Sequence, residues 1–383
     1  MGRRLTVRTV WIAIGAQLCC LALVGGLLWQ NNSLLAASTE SPAVTAWVKD
    51  LFSLRTELLS RGELGLLESF YDLKTSGGRW ALEKEQARIQ YVHQWLQARK
   101  IELVQTEVQF TRVEEDKGKE RTNISVCVHT LLTYRHRDYA DQPETTMGWR
   151  TVHWLELNKR GGRWVLAAEW FLDPLENASR WPTVAETRRT LKSGTQQQIG
   201  AQNWRQAAVR YADRYSGVKL GPGSGHYNQA YRDFSGLGGD CANFVSQALT
   251  DKDGGNLPQD WGWYYDNGEG TVAWLKAASL VQHLTGSGRA SCVARGDLAQ
   301  VCAFTPDHPV GAIRELLPGD IIAYEEKGEI VHVSLVVGFD PAGYLLVNSH
   351  SADRHRVPWD LGYSADTVYW LLQVSADNNE SKF

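Results

Sequence analysis

One cysteine in this chain stands where a thiol could do chemistry. The segment Gly238-Gly239-Asp240-Cys241-Ala242-Asn243-Phe244-Val245-Ser246-Gln247 places Cys241 directly after a flexible pair of glycines and an aspartate. The glycines permit a tight loop, and Asp240 is suited to cap a helix that begins at Cys241. Helical spacing buries Phe244, Val245 and Leu249 and leaves the cysteine in the first turn. The unpaired N–H groups of a helix start favour a thiolate, lowering a thiol below its usual value of about 8.5. The same N–H groups can steady an oxyanion formed beside the sulfur. Asn243 and Gln247, one helical turn apart, are placed to hold this helix by hydrogen bonds.

A thiol needs a base, and the downstream strands offer one. Pro318-Gly319-Asp320 turns into a strand, His332 begins the apolar run 331–339, and a third strand spans 344–350. Leu346, Asn348 and His350 share one face of that third strand by the two-residue period. An imidazole acting as base needs a polar partner on its other nitrogen to fix its tautomer, and Asn348 or His350 can supply it. Cysteine on a helix, then histidine and a polar residue on neighbouring strands, is the papain-like order of nucleophile, base and orienter.

The residues carry a narrower resemblance. Trp204-Arg205-Gln206-Ala207-Ala208-Val209-Arg210-Tyr211-Ala212, the Asp240–Gln247 run, Pro318-Gly319-Asp320 and Ser349-His350-Ser351-Ala352-Asp353-Arg354 resemble the putative amidase domain family of Gram-positive bacteria. That family is related to the NlpC/P60 and CHAP cell-wall hydrolases, and the likeness covers about residues 203–370. It implies Cys241 as nucleophile, His332 as base, Asn348 or His350 as orienter, and Asp353 in support. It also implies amide cleavage through an acyl-enzyme, with cell-wall peptidoglycan as substrate. The family's commoner motif has threonine where this chain has Ala242, a position that either small side chain fits. A noncatalytic wall-binding protein and an acyl transferase are the alternatives. No metal-binding or phosphate-binding motif competes, so no cofactor is expected.

The elements that must position these groups are legible from periodicity. Apolar residues spaced by three and four predict helices over 43–60 and 80–98 and a short one within 63–72. The period then falls to two, predicting strands near 101–114, 121–136 and 149–170, the last broken at Gly161-Gly162. The expected fold class is α+β: a small helix-plus-antiparallel-sheet domain at 40–175, then a papain-like, NlpC/P60-type domain at 203–375. By element order alone, the first domain resembles the NTF2/cystatin-like arrangement. Residues 176–202 are polar and read as a linker. Trp261, Trp263 and Trp274 fall between nucleophile and base and could wall a cleft or fill a core. The seven tryptophans of the first domain, Trp154 and Trp170 among them, could stack on sugar rings, although packing is the simpler use.

Composition sets the outer bounds. The 383 residues carry a formal charge of −3, which argues against nucleic acid as a partner. The chain is 43% hydrophobic and 22% charged, which is globular, and six cysteines are too few for a disulfide scaffold. Arg3, Arg4 and Arg8 precede an uncharged apolar run over 10–29. Residues 1–38 therefore read as a membrane anchor or as a signal peptide cleaved near Leu35-Ala36-Ala37-Ser38. Either implies a bacterial protein on the extracellular side of the plasma membrane, with residues 10–29 in the membrane if uncleaved. In such a compartment Cys292 and Cys302 could pair as a disulfide.

Overall fold

The computed structural model describes residues 42–116, 118–173, 203–218, 226–237, 239–363 and 366–376. Helices α1 (Pro42–Arg61) and α2 (Ser76–Ala98) lead into four long strands, β1 (Ile101–Asp116), β2 (Arg121–His136), β3 (Thr145–Arg160) and β4 (Arg163–Phe171). The turn between β3 and β4 needs two residues at positive φ, +56° and +83°, and Gly161 and Gly162 supply them. Thr75 starts α2 by accepting a hydrogen bond from the Gly78 N–H at 2.9 Å. The apolar stripes of α1 and α2 pack on the inner face of this sheet, with Leu51, Leu58, Ile89 and Val92 among the fully buried side chains.

The second half opens with α3 (Asn203–Tyr215) and α4 (Cys241–Thr250), followed by α5 (Ala277–Gly286). Six strands follow: β5 (Ala290–Gly296), β6 (Ile321–Glu326), β7 (Glu329–Phe339), β8 (Leu345–Ser349), β9 (Asp353–Pro358) and β10 (Val368–Val374). Helices α3, α4 and α5 pack on β7. Val333, Leu335 and Val337 of that strand face them, and Val336 joins a separate core with Tyr324, Trp359 and Tyr363. Alternating burial on both faces explains why these strands read as near-continuous apolar runs.

The two halves share one sheet, ordered β1-β2-β3-β9-β8-β7-β6-β10-β5, with β4 also on β3. The join is short. Asp353 pairs with Arg150, Arg354 with Trp149 and His355 with Gly148. A Cβ on Gly148 would stand 2.5 Å from Leu131 Cδ2 and 2.7 Å from the Thr130 oxygen, so the seam closes only over glycine. Val357 and Leu361, from the second half, complete the core of the first. The architecture is thus mixed α+β around one large, unclosed sheet.

Two expectations need correction. Among the described residues, no helix is long and apolar enough to cross a membrane. The longest, α2, carries Arg79, Glu83, Lys84, Glu85 and Arg88 along its length. The apolar run 10–29 lies outside the described residues. The membrane anchor expected there, and with it an anchored placement on the outer side of the plasma membrane, is thus not borne out among the described residues. Cys292 and Cys302 are both free thiols, so the disulfide between them is not formed.

Candidate active site

The chain reaches Cys241 through Gly239 at φ +128°, a conformation that side chains other than glycine rarely take. Helix α4 is buried along its whole length. Asp240 precedes it but does not cap it with its side chain. Its Oδ1 instead accepts from the Phe234 N–H at 2.9 Å and from Asn243 Nδ2 at 2.7 Å. Its Oδ2 lies 2.6 Å from His350 Nδ1, and its own N–H donates to the Ser351 hydroxyl. Gln247 accepts from the Tyr211 hydroxyl at 2.9 Å. Asn243 and Gln247 thus tie the helix to its neighbours.

The Cys241 thiol is only 7% exposed. Burial pushes it up to about 11, against the opposing pull of the Val333, Ala242 and Cys241 N–H groups. At neutral pH the group is a thiol, and desolvation outweighs the helix-start effect that the sequence suggested. The opposing pull nonetheless comes from three N–H groups. Val333, which supplies one of them, directly follows His332 in β7.

His332 leaves β7 on the face of its cross-strand partner Tyr324, with ring centroids 5.7 Å apart. Register shifts immediately before it: Tyr324 pairs with His332 and Glu325 with Ile330, leaving Val331 as an extra residue. Such a bulge re-aims the side chains beside it. The His332 Nε2 is shut off from solvent and has no hydrogen-bond partner. Burial, helped by the positive charge of Arg354, holds the imidazole down at about 3, so it is neutral. No hydrogen bond joins it to Cys241, and the thiol meets the strand backbone instead.

Neither expected orienter touches His332. Asn348 donates to Asp213 Oδ1 at 3.1 Å and accepts from the Arg356 N–H at 2.6 Å. His350 spends its second nitrogen on the Tyr215 carbonyl at 2.7 Å and lies between the rings of Tyr227 and Phe244, 3.7 and 4.0 Å away. It clamps the start of α4. Asp353 extends that clamp into the first half, taking Tyr227 Oη and Arg150 Nε at 2.6 Å each. Trp263 and Trp274 are core residues, their indole N–H groups bonded to Ser246 and Asn243 at 2.8 Å, whereas Trp261 is 91% exposed. None of the three is placed as a cleft wall by its contacts.

Two arrangements escaped the sequence reading. Arg354 lies over Tyr363 at 4.8 Å, Tyr363 stacks on Tyr324 at 3.8 Å, and Tyr324 faces His332, forming a buried column that ends on the imidazole. In the first half, Cys127 Sγ is 3.7 Å from His129 Nε2. The His129 Nδ1–H donates to the Val218 carbonyl at 2.8 Å, leaving Nε2 free to accept from the Cys127 thiol and from Thr111 Oγ1 at 3.0 Å. The available signal was Cys-x-His on one strand, which places both side chains on one face.

Comparison with known proteins bears on the second half. Residues 202–372 match the family described as "Putative amidase domain". The uncharacterized protein YhbB of Bacillus subtilis (strain 168) is 27% identical over 173 residues, 43% of this chain and 46% of the relative. The chain thus matches about half the length of that curated relative. Among solved structures, a putative scytalone dehydratase from Novosphingobium aromaticivorans is 11% identical with a TM-score of 0.24, covering 33% of this chain and 81% of its own. The protein Aln2 from a Streptomyces species is 10% identical with a TM-score of 0.25, covering 34% and 91%. Likeness at that level carries no argument. The second half is amidase-like in sequence, and the family match is to that generic amidase domain rather than to NlpC/P60 or CHAP specifically.

Proposed function

We propose that residues 203–375 form a papain-like, cysteine-dependent amidase domain, with 40–175 as an accessory NTF2/cystatin-like domain and 176–202 as the link. Cys241 attacks an amide carbonyl, its proton passing to His332. The imidazolium then protonates the leaving amine, and water activated by the regenerated His332 hydrolyses the thioester. One observation carries this reading: Cys241 opens the buried helix α4, which packs on β7, and β7 presents a buried, partnerless imidazole nitrogen at His332. Hydrogen bonds between catalytic groups commonly tighten only when substrate binds, so the open resting geometry is compatible with this role. The resemblance to wall hydrolases makes peptidoglycan stem peptides the first substrate to assay.

A second reading, a noncatalytic wall-binding protein, is favoured by the resting protonation states: a neutral thiol at about 11 and a neutral imidazole at about 3. Mass spectrometry of purified peptidoglycan incubated with the protein separates the two. Amide-cleaved fragments that vanish with Cys241→Ala, together with an acyl adduct on Cys241, are expected. Fragments released at the parental rate by Cys241→Ala would exclude the catalytic role.

A further inference from the structure

The outer face of the first-half sheet carries an ordered array that the proposed chemistry does not use. Register aligns Glu114 with Ser125, Ser125 with Trp154 and Trp154 with Trp170, one row across four strands. Two residues along, Asp116 aligns with Asn123, Asn123 with Glu156 and Glu156 with Ala168. Glu114 and Asp116 thus stand on β1, the indoles on β3 and β4 with Glu156 beside them, and the small polar side chains of Ser125 and Asn123 form the floor between. The same residues line a groove of about 600 Å³.

The indoles are not packing wedges. Trp154 and Trp170 are 49% and 50% exposed, their centroids 4.8 Å apart and their planes tilted by 49°. Leaving two tryptophans half in water forfeits burial free energy that the α1–α2 side of the same sheet collects. Paired exposed indoles by themselves would suit any flat ligand, a sugar included. The opposite wall decides the sign. Glu114 and Asp116 end β1 on this face, and Glu156, two residues along β3 from Trp154, adds a third carboxylate, ion-paired at 2.6 Å with Arg121. Indole faces carry negative potential as well, so both walls favour a cation between them. Four strands at about 4.8 Å spacing span roughly 14 Å, the length of about four extended residues.

We propose that this groove binds a short peptide segment through its lysine or arginine side chains, the cationic head lying between the indoles and the β1 carboxylates. The site does not depend on the Cys241 chemistry, and its test uses the full chain carrying Cys241→Ala, so that cleavage cannot confuse the readout. Isothermal titration with an end-blocked Gly-Lys-Gly-Lys-Gly peptide should give saturable binding that weakens as salt is raised. The same peptide with both lysines ε-acetylated should not bind. Trp154→Ala with Trp170→Ala, and separately Glu114→Gln with Asp116→Asn, should each weaken binding by about tenfold or more. Trp154→Phe with Trp170→Phe keeps ring faces in place and should retain most of the affinity, which guards against a misfolded alanine variant. No binding of the lysyl peptide, equal binding of its acetylated form, or affinity unchanged by either set of substitutions would overturn the assignment. So would a neutral N-acetylglucosamine oligomer that binds in place of the peptide and ignores the charge substitutions.

Discussion

Cys127 and Cys241 divide between them the features a thiol catalyst needs. On β2, Cys127 has its imidazole: His129 is 3.7 Å away and its tautomer is set by the Val218 carbonyl. What it lacks is a helix start, since it sits in the middle of a strand. At the head of α4, Cys241 has a helix start whose N–H groups pull its thiol down against burial, and its candidate base makes no bond to it. A base removes a proton, whereas an N–H array stabilises the charge that builds as a carbonyl is attacked, and the second contribution is commonly the larger. The contrast favours Cys241 for acyl chemistry despite the neater pairing at Cys127.

The largest effect tests that preference directly. Cys241→Ala should cut amide release by at least about a thousandfold, and Cys127→Ala should leave it within about twofold. The opposite pattern in a peptide-release assay would move the active centre to β2. Alkylation adds a second reading of the same contrast: the rate at Cys241 should keep climbing beyond about pH 9 toward about 11, because burial holds the thiol protonated. A plateau near neutral pH would mean that the thiolate already exists at rest.

Next in size is the clamp that only the Cys241 region possesses. Asp240 and His350 are each 1% exposed and joined at 2.6 Å. Asp240→Ala strips His350 of that partner and should cost about 3 kcal/mol in denaturant unfolding. A loss under about 1 kcal/mol would show the clamp to be dispensable. Spread over pH, and smaller within any one pH unit, is the His332 contribution. Its folded value of about 3 lies below the unfolded value of about 6.5. Between those values the unfolded chain binds more protons, so stability is full above about pH 6.5 and falls as pH drops toward about 3. The slope from this one group is at most about 1.4 kcal/mol per pH unit. His332→Gln should flatten it, and an unchanged acid limb would place the imidazole in water. Smallest of all, Cys292→Ser, at an exposed free thiol, should shift stability by no more than about 0.5 kcal/mol.

Much of the scaffold was legible because burial on one face leaves a period behind. The helices expected over 43–60 and 80–98 are α1 and α2, and the turn at Gly161-Gly162 is where φ must be positive. The pairing of β3 with β9 was not legible, since partners some 200 residues apart leave no mark on either local pattern. Cys241 at a helix start followed from Gly-Gly-Asp-Cys. The state of its thiol did not, because desolvation depends on what covers the helix rather than on its first turn. The bulge at Val331 is equally silent, as an extra residue in a strand alters register without altering composition. Trp263 and Trp274 were ambiguous until their N–H groups met Ser246 and Asn243, the kind of partner a buried indole usually finds.

The three-rung seam between β3 and β9 also acts as a compatibility filter during divergence. A first half can be exchanged for another only if the newcomer offers a residue without a Cβ at the place of Gly148 and a cation at the place of Arg150. Grafts that ignore either would leave the edge strand β9 bare, and a bare edge pairs readily with other chains. Any recombination at this boundary must therefore satisfy these two positions first, and a chimera series varying them would measure how strict the filter is.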